Sequence, residues 1–165
     1  MEKEKQQVVI IGRKGLSIIR IWHYKLIPLL PNAQLKAMRY EIGDMIKQYP
    51  NIKHGLVKYA NNYDIEYLLD LFMKTLDEFE KRKIKHRVSY DLEIYQIGAS
   101  KCKLKIGRWK FIRTGQIYPE HNDRYLKQCY FNLQEKYDRG IISKEEWQKI
   151  YTKYKDKFDL WDGEE

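Results

Sequence analysis

The amino-acid sequence predicts one mainly helical domain with a small β-hairpin addition. Three observations carry that expectation. Four stretches place apolar residues at three- and four-residue spacing, their ends carry cap and stop residues, and one short stretch alternates strictly between lysine and apolar residues. With 165 residues, 43% of them hydrophobic, the chain can close one core without disulfides or metal. It contains no internal repeat and no linker-like tract, so residues 1–165 are read as a single domain.

Residues 8–12, Val-Val-Ile-Ile-Gly, form a short apolar run expected as a strand, with a turn at Arg13, Lys14 and Gly15. Ile18 to Trp22 reads as a second strand or as buried extended chain. Pro28 and Pro31 forbid a helix before Asn32, which is a good N-cap for the stretch starting at Ala33. Leu35, Met38, Ile42, Met45, Ile46 and Tyr49 then mark one buried helix face, ended by Pro50. A short helix is expected around Gly55 to Ala60. Asp64 can cap the most strongly periodic helix, whose stripe is Ile65, Leu68, Leu69, Phe72, Leu76 and Phe79. The period changes after that. Lys101, Lys103 and Lys105 alternate with Cys102, Leu104 and Ile106, and Gly98 to Ser100 can turn this strand back on Leu92 to Ile97, predicting a hairpin over about 92–113 with a lysine face. Such lysines also suit the guarding of an exposed edge. A helix from about Asp123 to Tyr137 follows, capped near Asn122, stopped by Gly140, and turning Tyr125, Leu126, Cys129 and Leu133 inward. Ser143 and Glu146 form a capping box for a last helix marked by Trp147, Ile150, Tyr151, Tyr154 and Phe158, and the tail from Asp159 is acidic.

Composition narrows the class of partner. The chain holds 32 Lys and Arg against 23 Asp and Glu, a net charge of +9. Between Lys81 and Arg113 eleven basic residues face only Asp91 and Glu93, so this segment alone accounts for the whole excess. Concentrated positive charge attracts polyanions by counterion release, which makes nucleic acid the leading partner class. The 14 Tyr and 4 Trp add surfaces on which bases can stack. No run of residues is apolar enough to span a membrane, and the charged start, Met1 to Gln7, lacks a signal-peptide core, so a cytoplasmic protein is expected, without a membrane partner. The two cysteines, Cys102 and Cys129, lack zinc-ligand spacing and read as free thiols, and neither a metal nor a cofactor is expected.

Common enzyme signatures are missing: no P-loop, no dinucleotide fingerprint, no HExxH and no nucleophile elbow. His23, His54, His86 and His121, taken one at a time, read as hydrogen-bonded structural or surface residues. Glu41 stands out, a carboxylate on the first long helix beside Arg39 and Tyr40, able to assist a cationic intermediate or to form a surface ion pair.

Two blocks go beyond composition. Arg20-Ile-Trp-His-Tyr-Lys-Leu-Ile-Pro-Leu-Leu-Pro31, followed by Gln34, Leu35 and Glu41, resembles the opening of the pyrimidine-dimer DNA glycosylase family, the endonuclease V type of bacteriophages and bacteria. Ile117-Tyr-Pro-Glu-His-Asn122, leading into Tyr125, Leu126 and Cys129, resembles that family's second block. The resemblance spans about residues 19–140, leaving 1–19 as an N-terminal extension and 141–165 as a C-terminal helix and acidic tail.

Membership would imply a compact helical fold that binds damaged or abasic duplex DNA, kinks it and flips out a nucleotide. The resemblance further implies attack on the sugar C1′ by an N-terminal α-amine, giving a Schiff base, with a helix glutamate assisting; position assigns that glutamate to Glu41. An α-amine suits the task, since its pKa of about 7.7–8.0 leaves a sizeable free-base fraction at neutral pH, against about one part in a thousand for an ordinary lysine near 10.4. Arg20, His23, Arg39 and His121 are expected to line the DNA-facing site, with Lys25, Lys81, Arg82, Lys83, Lys85, Arg87, Lys101, Lys103 and Lys105 as further nucleic-acid contacts. The sequence departs from the family in two places. Met1 to Ile19 precedes the expected start, so the amine would come from cleavage near Ser17 to Ile19 or from Lys25 or Lys36, and Tyr40 stands where an arginine usually precedes the glutamate, with Arg39 about 100° around the helix. Two further readings remain at this point. One is a catalytically inactive, phage-encoded relative that binds or inhibits a nucleic-acid-dependent protein partner through the extension or the basic hairpin. The other is an RNA-directed factor using the lysine-faced hairpin for single strands.

Overall fold

A computed structural model describes the backbone of residues 21–102 and 120–162 and the side chains of 21–102 and 120–158. The expected strand at 8–12, its turn, Arg20, Lys103, Lys105 and the second half of the expected hairpin lie outside these residues. The described chain is helical: a 3-10 helix Tyr24–Leu29, α1 (Asn32–Gln48), a second 3-10 helix Lys58–Asn62, α2 (Glu66–Arg82), α3 (Val88–Lys101), α4 (Asp123–Asp138) and α5 (Lys144–Asp162). The described residues divide into two compact units, 21–34 with 120–162, and 35–102.

In the first unit, the segment before α1 is buried through Ile21, Trp22, Leu26, Ile27 and Leu30. Ile21 and Trp22 are buried without strand pairing. The Asn122 side chain accepts the Tyr125 N–H at 2.9 Å and caps α4, whose Leu126, Cys129, Tyr130 and Leu133 are buried. Gly140 closes that helix at a φ of +78°, a conformation that favours glycine. The capping box forms as expected, Ser143 N–H donating to Glu146 at 2.8 Å and Glu146 N–H to Ser143 Oγ at 3.1 Å. From that start α5 lies against α4 and the first 3-10 helix. The Tyr130 ring sits between Trp147 and Phe158, at 5.2 and 5.0 Å.

In the second unit, Leu35, Met38, Ile42, Met45 and Ile46 are the buried face of α1, while Tyr49 is half-buried. The turn that follows is pinned by Asn61, whose amide makes two 2.9 Å hydrogen bonds to the backbone of Ile52. Within α2, Leu68, Leu69, Phe72 and Phe79 are buried and Leu76 half-buried. Lys83 ends the helix in the left-handed region, φ 60°, with the Ile84 N–H reaching back to the Phe79 carbonyl at 2.9 Å.

The expected hairpin is corrected here. Leu92 to Ile97 belongs to α3, and no strand occurs among the described residues. Gly98, expected as a turn residue, is a packing contact. A Cβ there would overlap the Leu69 side chain, so the missing side chain lets α3 close on α2. Asp91, Ile94 and Gly98 are the buried positions, at helical spacing, while Val88 and Leu92 remain exposed. That outward apolar pair blurs the helical period. Among the described residues no helix is long and apolar enough to cross a membrane.

Candidate functional site

Glu41 lies on α1, half-buried, between the buried Met38, Ile42 and Met45 and the exposed Tyr40 and Asp44. A carboxylate at this boundary is held by a rigid helix yet keeps a side toward solvent. Arg39, two residues before, is placed differently from its expected DNA-facing position. It is 1% exposed, and its Nε donates to Asp91 Oδ1 at 3.0 Å while a second guanidinium nitrogen pairs with the same oxygen. Three rings surround the guanidinium: Tyr40 at 4.9 Å, with Phe79 and Tyr90 each at 5.2 Å. An arginine cannot shed its proton to ease burial, so a counter-ion and polarisable rings are the available compensation. The other Asp91 oxygen bonds His86 Nδ1.

That bond ties the basic turn after α2 to Asp91 of α3, and through Asp91 to Arg39 on α1. Around it Lys81, Lys83, Lys85 and Arg87 are exposed, whereas Arg82 is half-buried and held by Glu78 at 2.8 Å. Lys101 is also committed elsewhere. Its ammonium donates to the carbonyls of Ile46, Lys47 and Tyr49, each at 2.8 Å, capping the C-terminus of α1, and burial pushes its pKa below the usual lysine value. Its ammonium is thus turned to α1, and Lys103 and Lys105, expected beside it on a lysine face, lie outside the described residues.

His23 and His121 come together in the first unit. Both are buried, and their rings stack at 5.2 Å. His23 Nδ1 accepts the Lys25 N–H at 3.1 Å, so the proton resides on Nε2, which donates to the His121 carbonyl at 2.9 Å. His121 Nδ1 accepts the Tyr24 N–H at 3.4 Å. Burial drives the pKa values of His23 down to about 4 and of His121 to about 3. Both rings are therefore neutral at pH 7 and join the start of this unit to the turn before α4 through hydrogen bonds and stacking. Lys25 is exposed beside them.

Arg39 and Glu41 belong to the second unit, and His23, Lys25 and His121 to the first. Burial pushes the Cys102 thiol up to about 11 and Cys129 to about 12, so neither is a reactive thiolate. Among the described residues no group of three or more His, Cys, Asp or Glu is placed to hold a metal ion. Sequence reasoning missed Asp91, which appeared only as one of two acids in a basic stretch. Its signal was present: Asp91, Ile94 and Gly98 share a helical face, and a carboxylate on a buried face needs a cation.

No curated protein and no solved structure matches the chain. A family model, described as pyrimidine dimer DNA glycosylase, matches residues 19–92. This span includes the Arg20–Pro31 block and Glu41, and the second block at Ile117–Asn122 lies beyond it. With the opening block and the α1 glutamate inside one matched span, residues 19–92 are similar to the pyrimidine dimer DNA glycosylase family.

Proposed function

We propose that the protein binds duplex DNA bearing a damaged or abasic nucleotide and acts on it as an N-glycosylase with associated abasic-site lyase activity. The observation that supports this most is the family match over residues 19–92, which takes in Arg20, Trp22, His23 and Glu41. In this reading an unprotonated amine attacks the sugar C1′ and loses a proton as the base departs with its bonding electron pair; the C1′–O4′ bond then opens, O4′ taking up a proton, and a protonated Schiff base is left. Glu41 then takes a proton from C2′, and the electron pair released expels the 3′ phosphate, nicking the strand. The amine is an α-amino group freed by cleavage near Ser17 to Ile19, or the ammonium-derived amine of Lys25 or Lys36, both exposed. Lys81, Lys83, Lys85 and Arg87 hold phosphates, joined by Arg20, Lys25, Lys103 and Lys105. Arg39, Lys101, His23 and His121 contribute by holding the helices and the opening segment in place.

Borohydride reduction on an abasic-site duplex tests the chemistry. Wild-type protein should yield a covalent adduct and Glu41→Gln should not, and the mass of the adducted peptide identifies the amine. Tight, salt-sensitive binding without any adduct would remove the catalytic half and favour an inactive relative that acts on a nucleic-acid-dependent partner. Failure to bind duplex DNA would sink both.

A further inference from the structure

Tyr40 is 45% exposed, one of four large hydrophobic side chains that the described residues show to solvent, and it directly precedes Glu41 on α1. It is braced rather than loose. The Arg39 guanidinium lies over its ring at 4.9 Å, and Tyr90 meets it at 5.4 Å with the planes inclined by 50°. Tyr90 is fixed in turn. It crosses α1 at Gly43, where a Cβ would overlap its hydroxyl, and it lies between Arg39 and Lys47, at 5.2 and 5.3 Å. A ring held in this way loses little rotamer freedom when something stacks on its open face.

The surroundings indicate what would stack. Lys36 lies one turn before Tyr40 and Lys47 two turns after it, about 6 and 10 Å along the helix and within about 40° of its direction. Asp44, one turn on, is the one carboxylate on that row. A half-exposed aromatic ring flanked by cations suits a planar, π-faced group carried on a phosphate chain, whereas a protein partner would need a broader apolar patch.

We propose that Tyr40 is a stacking platform for an unpaired nucleobase beside Glu41. The proposal rests on the DNA reading above and extends it. The base concerned is the one opposite an abasic position, which has no pairing partner and is the least costly to unstack. Tyr40 thus takes the place of a phosphate-binding arginine with a group that reads the π-face of a base.

The test uses the full chain and a duplex carrying a stable abasic analogue opposite 2-aminopurine, whose fluorescence rises on leaving the helix and is quenched on a tyrosine ring. Wild-type protein and Tyr40→Phe should give a quenched complex; Tyr40→Ala and Tyr40→Leu should give a bright one. Affinity should fall about tenfold in the last two, the order expected for one lost base–aromatic stack. The salt dependence of binding should stay the same, because no phosphate contact is removed. Unchanged fluorescence and affinity in Tyr40→Ala and Tyr40→Leu would overturn the stacking role while leaving the DNA reading intact. A loss in Tyr40→Phe equal to that in Tyr40→Ala would assign the effect to the hydroxyl and overturn it too. Wild-type protein that binds no duplex would overturn both this role and the reading beneath it.

Discussion

The two units bury polar side chains by opposite means. In the first, His23 and His121 are stripped of water with backbone groups and aromatic rings as their close partners, so each ring stays neutral. In the second, Arg39 is buried as deeply but remains charged, and Asp91 is drawn inside with it. The difference follows from the side chains themselves. An imidazole whose charged form is disfavoured by burial releases its proton at modest cost, while a guanidinium does not. Hence the first unit is exposed to acid, and the second to the loss of one carboxylate.

The largest effect is expected at Asp91. Replacing it with alanine strands a buried guanidinium and should lower the unfolding free energy by about 3–5 kcal/mol. Urea denaturation reads this as an earlier midpoint, and an unmoved midpoint would mean that water already solvates Arg39. The first unit should respond to pH instead. With folded pKa values near 4 and 3 against 6.5 when unfolded, the unfolded state binds more protons below pH 6.5, so the stability is complete above that pH and declines as acid is added. For His121 the loss is about 1 kcal/mol at pH 5.5. Histidine ring resonances followed by NMR should show both residues still neutral at pH 5; titration near 6.5 in the folded protein would contradict the neutral pair. The smallest of the three concerns Lys101, where substitution by methionine removes a donor from three carbonyls and should cost about 1 kcal/mol. A neutral result would assign the C-terminus of α1 to solvent rather than to this ammonium.

Much of the helical plan was legible from local pattern. The α1, α2, α4 and α5 stripes, the Asn122 cap and the Ser143–Glu146 box depend on residues within one or two turns of each other, and these appear as expected. Helix α3 was misread because its outward face is apolar at Val88 and Leu92 and its buried face includes Gly98 and an acid. A glycine is a turn signal in isolation and a packing surface only once Leu69 is known to lie above it. The site was legible only in part, for a related reason. Glu41 falls where helical spacing puts it, at the margin of the buried stripe. That Arg39 would turn inward depends on Asp91, 52 residues away, and that His23 and His121 would be neutral depends on a partnership across 98 residues. Periodicity carries no information at such range.

The partnership between His23 and His121 has a consequence for biosynthesis. Because the opening segment of the first unit is covered by α5 and bonded to residues that follow the whole second unit, Ile21, Trp22, Leu26 and Ile27 leave the ribosome well before their partners exist. The intervening unit can assemble from contacts within one continuous stretch, but the first must wait for the last helix to be translated. During that interval the nascent chain displays an apolar ribbon to the crowded cell, which makes it a natural client for a holding chaperone.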